Sequence, residues 1–239
     1  MRHKSLMDFG RQGVFYRLFL ICAICAVLSS LLSQNGDSSF WRYLHYLTKP
    51  AATLLLLCAI LNAPRLISKT YGFAIAIGLA VAAAGDFFLM LPGDYFLAGL
   101  ICFLITHCIY TYALCSKTHF AENKIVFVVF AVLAIAIIAG LWSSVPNAMK
   151  IPVVIYASAI GIMAAQAFSR AISIAPETIR HYSAWLAAAG GLFFMVSDTL
   201  LAFNRFHTPI PLAGLWVLGT YYAAQFLFAR STENFAYER

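Results

Sequence analysis

Eight apolar runs separated by short breaks leave this chain few ways to fold. They cover approximately residues 14–33, 49–64, 71–91, 95–116, 124–142, 151–169, 182–203 and 210–229. A bilayer-spanning helix needs roughly 20 predominantly apolar residues, and most of the runs meet that length. The second is short and opens with Lys49-Pro50. Proline is accepted in the first turn of a helix, which puts Lys49 at the membrane surface. The breaks hold turn formers and charges: Asn35-Gly36-Asp37, Pro64-Arg65, Pro92-Gly93-Asp94, Glu122-Asn123-Lys124, Pro146-Asn147, Pro176-Glu177 and Pro209. Hydrophobic residues make up 62% of the chain and charged residues 10%, against about 25% charged in a soluble domain. Such a chain has too little polar surface to cover a globule in water, whereas in lipid its helices satisfy their own backbones. The expected fold is therefore an all-α membrane protein, a single polytopic domain over residues 1–239 with about eight transmembrane helices.

Lys and Arg set the orientation. With the N-terminus inside, the inner segments hold Arg2, Lys4, Arg11, Arg17, Arg65, Lys69, Lys117, Lys124, Arg170, Arg180, Arg230 and Arg239. The outer segments hold Arg42, Lys49, Lys150 and Arg205. This asymmetry predicts a multi-pass protein of the plasma (inner) membrane with both termini cytoplasmic. Residues 1–13 resemble the basic start of a signal peptide, but no clear small-residue cleavage site follows, so a retained first helix is expected. The net charge of +7 orients the chain and forms no long basic stretch for nucleic acid. Cys22 and Cys25 have C-x-x-C spacing, but in mid-helix with no second pair they read as small core residues.

A faint repeat is visible. Gly85-Asp86-Phe87-Phe88-Leu89 ends the third run and Ser197-Asp198-Thr199-Leu200-Leu201 ends the seventh. Tyr110 and Tyr222 each follow their aspartate by 24 residues. The pattern suggests a parallel repeat of four helices plus four.

Ionisable side chains inside a span cost about 2.5–3.5 kcal/mol on insertion scales and mark functional candidates. Asp86, Asp198 and His107 qualify. Gly99, Phe103, His107 and Tyr110 share one helix face, and Tyr222 and Gln225 another. The structural alternatives are aspartates that reach water or cap a neighbouring helix, and a histidine, tyrosine and glutamine that bond between helices. Lys49 has an alternative role as an interfacial anchor. Two buried carboxyls beside a histidine suit proton chemistry, one carboxyl serving as acid and the other as base. The sequence has no G-x-S-x-G and no glycine-rich phosphate loop, and one deep histidine is a weak zinc signal.

At these residues the chain resembles the YhhN-like membrane family, whose characterised members are lysoplasmalogenases. The matching text is Lys49-Pro50, Gly85-Asp86-x-x-Leu89 and Phe96-x-x-Gly99-x-x-x-Phe103-x-x-x-His107-x-x-Tyr110. It continues with Tyr156 and Met163, Ser197-Asp198-x-x-Leu201-Ala202, and Tyr222-Ala223-Ala224-Gln225. The resemblance implies hydrolysis of the vinyl ether bond of lysoplasmalogens, giving a fatty aldehyde and glycerophosphocholine or glycerophosphoethanolamine. It implies Asp86, Asp198 and His107 as catalytic residues. Lys49, Tyr110, Tyr156, Tyr222 and Gln225 would contact the substrate, with Lys49 on its phosphate. The expected partners are a lysophospholipid and the bilayer; no cofactor, metal or obligatory protein partner is expected. A proton-coupled transporter or lipid carrier is the main rival reading, and a zinc-dependent lipid amidase a third.

Overall fold

The computed structural model describes residues 10–34 and 39–234. These form eight helices: α1 (Arg11–Gln34), α2 (Ser39–Leu61), α3 (Lys69–Met90), α4 (Phe96–Leu114), α5 (Lys124–Leu141), α6 (Asn147–Ser173), α7 (Ile179–Phe206) and α8 (Ala213–Ser231). Among the described residues there is no strand, only an isolated antiparallel bridge between Leu66 and Glu233. Arg2, Lys4, Arg239 and the Asn35-Gly36-Asp37 break lie outside the described residues.

Seven helices, α1 to α7, are long and apolar enough to cross a membrane. The exception, α8, carries Thr220, Tyr221, Tyr222, Gln225 and Arg230, which dilute its apolar character because several of them build the site described below. The outward faces are apolar: Ile125, Val128, Val132 and Ile135 of α5 are all more than half exposed. Apolar surface on this scale is a lipid-facing belt rather than a water-facing one. The chain is a multi-pass α-helical membrane protein.

Local signals set several helix ends. The Ser68 side chain accepts from the Tyr71 N–H at the start of α3, and Asn123 caps α5 through the Val126 N–H. The second helix differs from its sequence expectation. It begins at Ser39, so Pro50 lies in the helix interior and Lys49 near its middle. The extra turns contain Arg42, His45 and Thr48 among aromatic residues, and these polar side chains hide the helix from an apolar-run reading. Lys49 is consequently not a surface residue: it is 7% exposed.

The main pairings are α7 with α8, α1 with α2 and α3 with α4; α6 also packs on α4, α5 and α7. Helices α3 and α4 approach closely at glycines. A Cβ on Gly78 would fall 2.2 Å from the Tyr110 ring, and one on Gly85 would fall 2.9 Å from the Phe103 ring. Thr106 Oγ1 donates to the Gly78 carbonyl at 3.3 Å across this contact. Small residues at such crossings let two backbones come together in lipid. The expected 4+4 repeat is not established by this packing. Helix α1 lies against α2 and α8, whereas α5 packs on α6 and touches α7.

The two described ends of the chain meet. Gln12 Nε2 donates to Glu233 Oε1 at 2.7 Å, and the Tyr16 hydroxyl bonds the same oxygen. The α2–α3 turn joins them through Ile67 N–H to the Thr232 carbonyl at 2.8 Å. At the opposite end Arg205 makes a paired contact with Asp94 at 2.8 and 2.9 Å, and Ser144 bonds His207. Eight helices traversed in alternation bring the chain back to the end where it starts.

Candidate active site

Two aspartates, each inside a helix, sit in separate polar clusters that face one cavity. Asp86 lies in the last turns of α3 and is 1% exposed. Its Oδ1 is 3.5 Å from Lys49 Nζ, and its Oδ2 accepts from Thr53 at 2.8 Å and from Tyr221 at 2.7 Å. Lys49 and Thr53 are one helical turn apart on α2, so one face of that helix supplies two of the three partners. Every partner is a donor. An ion buried in the bundle needs this degree of compensation, because desolving a charge without partners costs several kcal/mol.

A relay of side chains stands behind Tyr221. Gln225 Nε2 donates to the Tyr221 hydroxyl at 3.3 Å, and Gln225 Oε1 accepts from the Tyr110 hydroxyl at 2.7 Å. Tyr110 is fully buried, with its ring 4.5 Å from that of Phe228. Two residues expected to contact substrate, Tyr110 and Gln225, are therefore in the wall behind the cavity. Tyr222 points elsewhere: its hydroxyl donates to the Lys49 carbonyl at 3.4 Å, and its ring packs against Phe19 of α1.

Asp198, in α7, has a different setting. Its Oδ2 accepts from the Tyr156 hydroxyl of α6 at 2.5 Å and lies 3.3 Å from His107 Nε2 of α4. His107 Nε2 is also 3.0 Å from the Tyr156 hydroxyl, so the three groups form a triangle. The other imidazole nitrogen, His107 Nδ1, is buried without a hydrogen-bond partner among the described residues. The ring is held edge-on to Phe194, 4.7 Å between centroids. Each aspartate takes partners from the helix preceding it and from the last helix of the other half of the chain.

Asp86, Asp198, Lys49, Ser197 and Tyr221 line one cavity. Of these five, the sequence alone points to Asp86, Asp198 and Lys49 as site residues and not to Ser197 or Tyr221. Thr53 and Tyr221 went unnoticed, although each carried a signal: Thr53 is four residues after Lys49, and Tyr221 four residues before Gln225. Among the described residues, no three His, Cys, Asp or Glu side chains are grouped as metal ligands. The site offers two carboxyls, an ammonium and several hydroxyls in a water-poor interior, a set suited to moving protons and to balancing a transient positive charge.

Comparisons with known proteins identify the family of the chain. Lysoplasmalogenase TMEM86A of Bos taurus is 30% identical over 235 residues, covering 95% of this chain and 88% of the relative. Lysoplasmalogenase TMEM86A of Homo sapiens is 32% identical over 158 residues, 66% of this chain and 64% of the relative. Lysoplasmalogenase TMEM86B of Sus scrofa is 31% identical over 156 residues, 65% and 62% of the two chains. With the human and porcine relatives, the aligned part thus spans less than two thirds of the relative's length. No solved structure matches the chain. The YhhN family model matches residues 44–232, from the second turn of α2 to the end of α8, and the chain belongs to the YhhN family.

Proposed function

We propose that the protein is a lysoplasmalogenase, an ether hydrolase acting on 1-alkenyl lysophospholipids within the membrane. The observation that carries this reading is the placement of Asp86 and Asp198 on one cavity, each in its own polar cluster. The names of the relatives support the same substrate class.

A vinyl ether is activated by protonation of its β-carbon, which leaves an oxocarbenium ion. Water adds to the carbon bearing oxygen. The hemiacetal then collapses to a fatty aldehyde and glycerophosphocholine or glycerophosphoethanolamine. The sequence needs a positioned acid and a carboxylate that stabilises the cation. Asp86 and Asp198 fill these roles. His107 and Tyr156 orient Asp198, and Lys49, Thr53 and Tyr221 hold Asp86. Lys49 acts as the partner of Asp86 in place of the phosphate contact expected from sequence. The same reading puts the protein in the plasma (inner) membrane with both termini cytoplasmic; the basic residues at the end holding Gln12 and Glu233 support that orientation.

The test is an assay of purified protein in detergent with a 1-alkenyl lysophospholipid, following aldehyde release. Hydrolysis without any ion gradient is expected. Stable binding without aldehyde release, together with proton-driven uptake in vesicles, would instead favour a proton-coupled transporter.

A further inference from the structure

The cavity holding both aspartates adjoins a second, apolar one. The second lies between α4, α5, α6 and α7 and is walled mainly by apolar side chains, Phe96, Leu100, Ile138 and Leu141 among them. Leu89, Phe103, Asp198 and Leu201 line both. Among the described residues, no other Asp or Glu lines the apolar cavity. Asp86 and Lys49 line only the polar one. Asp198 therefore stands at the junction between an apolar compartment and a charged one.

Its two oxygens are used differently. Oδ2 is engaged by Tyr156 and His107, while Oδ1 accepts from no side chain among the described residues. Asp86 has both oxygens occupied by donors. Of these two aspartates, Asp198 alone has an oxygen without a donor among the described residues, and that oxygen can bear and deliver a proton.

A 1-alkenyl lysophospholipid is divided in the same way: one long apolar chain, one charged glycerophospho head, and the vinyl ether between them. We infer that the alkenyl chain occupies the α4–α7 cavity with the double bond at Asp198, and that Asp198 is the proton donor while Asp86 is the counter-charge. This assignment rests on the lysoplasmalogenase reading and deepens it. The β-carbon is the chain-side carbon of the double bond, so it faces Asp198. The Oδ1 proton moves to it, the π electrons form the new C–H bond, and positive charge is left on the α-carbon and ether oxygen. Asp86 faces that charge from the glycerol side. Water adds to the α-carbon and gives its proton to the Asp198 carboxylate, restoring the acid. The hemiacetal hydroxyl then loses its proton as the glycerol oxygen gains one; the bond from the glycerol oxygen to the α-carbon breaks, and the remaining C–O bond becomes the aldehyde carbonyl. One water is consumed and no redox partner is needed.

The chain cavity makes its wall residues determinants of chain length. Ile138 of α5 is half-buried and lines the cavity, whereas Ile135 on the same helix is 65% exposed and faces lipid. The probe is a pair of saturated 1-alkyl lysophospholipids, one short-chained and one long-chained, which bind without being hydrolysed. In the wild-type protein each buried methylene should tighten binding by about fourfold. Ile138→Trp should lower the ratio of long-chain to short-chain affinity by at least about tenfold, the order expected when a pocket loses room for part of its ligand. Ile138→Ala should leave the ratio high, and Ile135→Trp should leave it at the wild-type value. An unchanged ratio in folded Ile138→Trp would overturn the chain assignment even if vinyl ether hydrolysis is found. A lowered ratio without any hydrolysis would keep the chain site and remove the reaction.

Discussion

Lys49 Nζ lies 3.5 Å from Asp86 Oδ1, and both residues are buried in the bundle. Neither charge has access to bulk water, so each depends on the other and on the two hydroxyls that complete the Asp86 cluster. This ion pair ties α2 to α3, and Tyr221 extends the tie to α8.

Breaking the pair from one side should be costly. Lys49→Met leaves Asp86 without its cation and should destabilise the protein by about 3–5 kcal/mol, the usual penalty for orphaning a buried charge. Adding Asp86→Asn to Lys49→Met should recover part of that loss. Thermal unfolding in detergent reads both effects. Lys49→Met with wild-type stability would show that the pair contributes nothing to the fold.

The α3–α4 contact gives a second prediction. The methyl of Gly78→Ala would collide with the Tyr110 ring, which cannot swing away because Phe228 packs on it and Gln225 holds its hydroxyl. Overpacking of this kind costs about 1–3 kcal/mol. It should also disturb the Tyr110–Gln225–Tyr221–Asp86 relay and lower turnover. Gly219→Ala, where a Cβ meets nothing within 4 Å, should be tolerated. Unfolding and activity measured on the two variants separate these outcomes.

Tyr156→Phe removes the hydroxyl shared by Asp198 and His107. On the proposed mechanism Tyr156 positions Asp198, so kcat should fall about tenfold with little change in KM, and the pH–rate profile should be displaced from that of the wild type. A structural role alone would lower the folded fraction and leave the profile in place.

The fold was legible because the signal for a membrane helix is long and strong: each of the eight apolar runs has its helix. The start of α2 was not legible, because Arg42, His45 and Thr48 interrupt the apolar pattern and Lys49-Pro50 imitates a helix start. The site was partly legible. Aspartates within spans stand out by cost alone, so Asp86 and Asp198 were found. The partners of Asp86 were harder to find, because threonine and tyrosine are unremarkable in a membrane helix. Tyr221 and Tyr222 are adjacent, and only packing decides that Tyr221 faces Asp86 while Tyr222 faces α1. Lys49 was found but placed at the surface, an error inherited from the helix start.

Orientation is open to a direct test. Reporter fusions at the C-terminus and within the 143–150 loop should report opposite sides of the membrane, with the C-terminus cytoplasmic. The same side for both would contradict the eight-helix traverse.

The central claim is that two carboxylates act as one unit on a vinyl ether. Its most direct test is aldehyde release from a 1-alkenyl lysophospholipid by Asp86→Asn, Asp198→Asn and the double variant, each confirmed folded. Asparagine keeps the size of the side chain but cannot carry the proton or the negative charge. Each single variant should lose at least about a hundredfold in turnover, within the range for losing an acid or base. The double variant should be little worse than either single, because residues that act together are strongly non-additive. Near wild-type turnover in either folded single variant would contradict the two-carboxylate account.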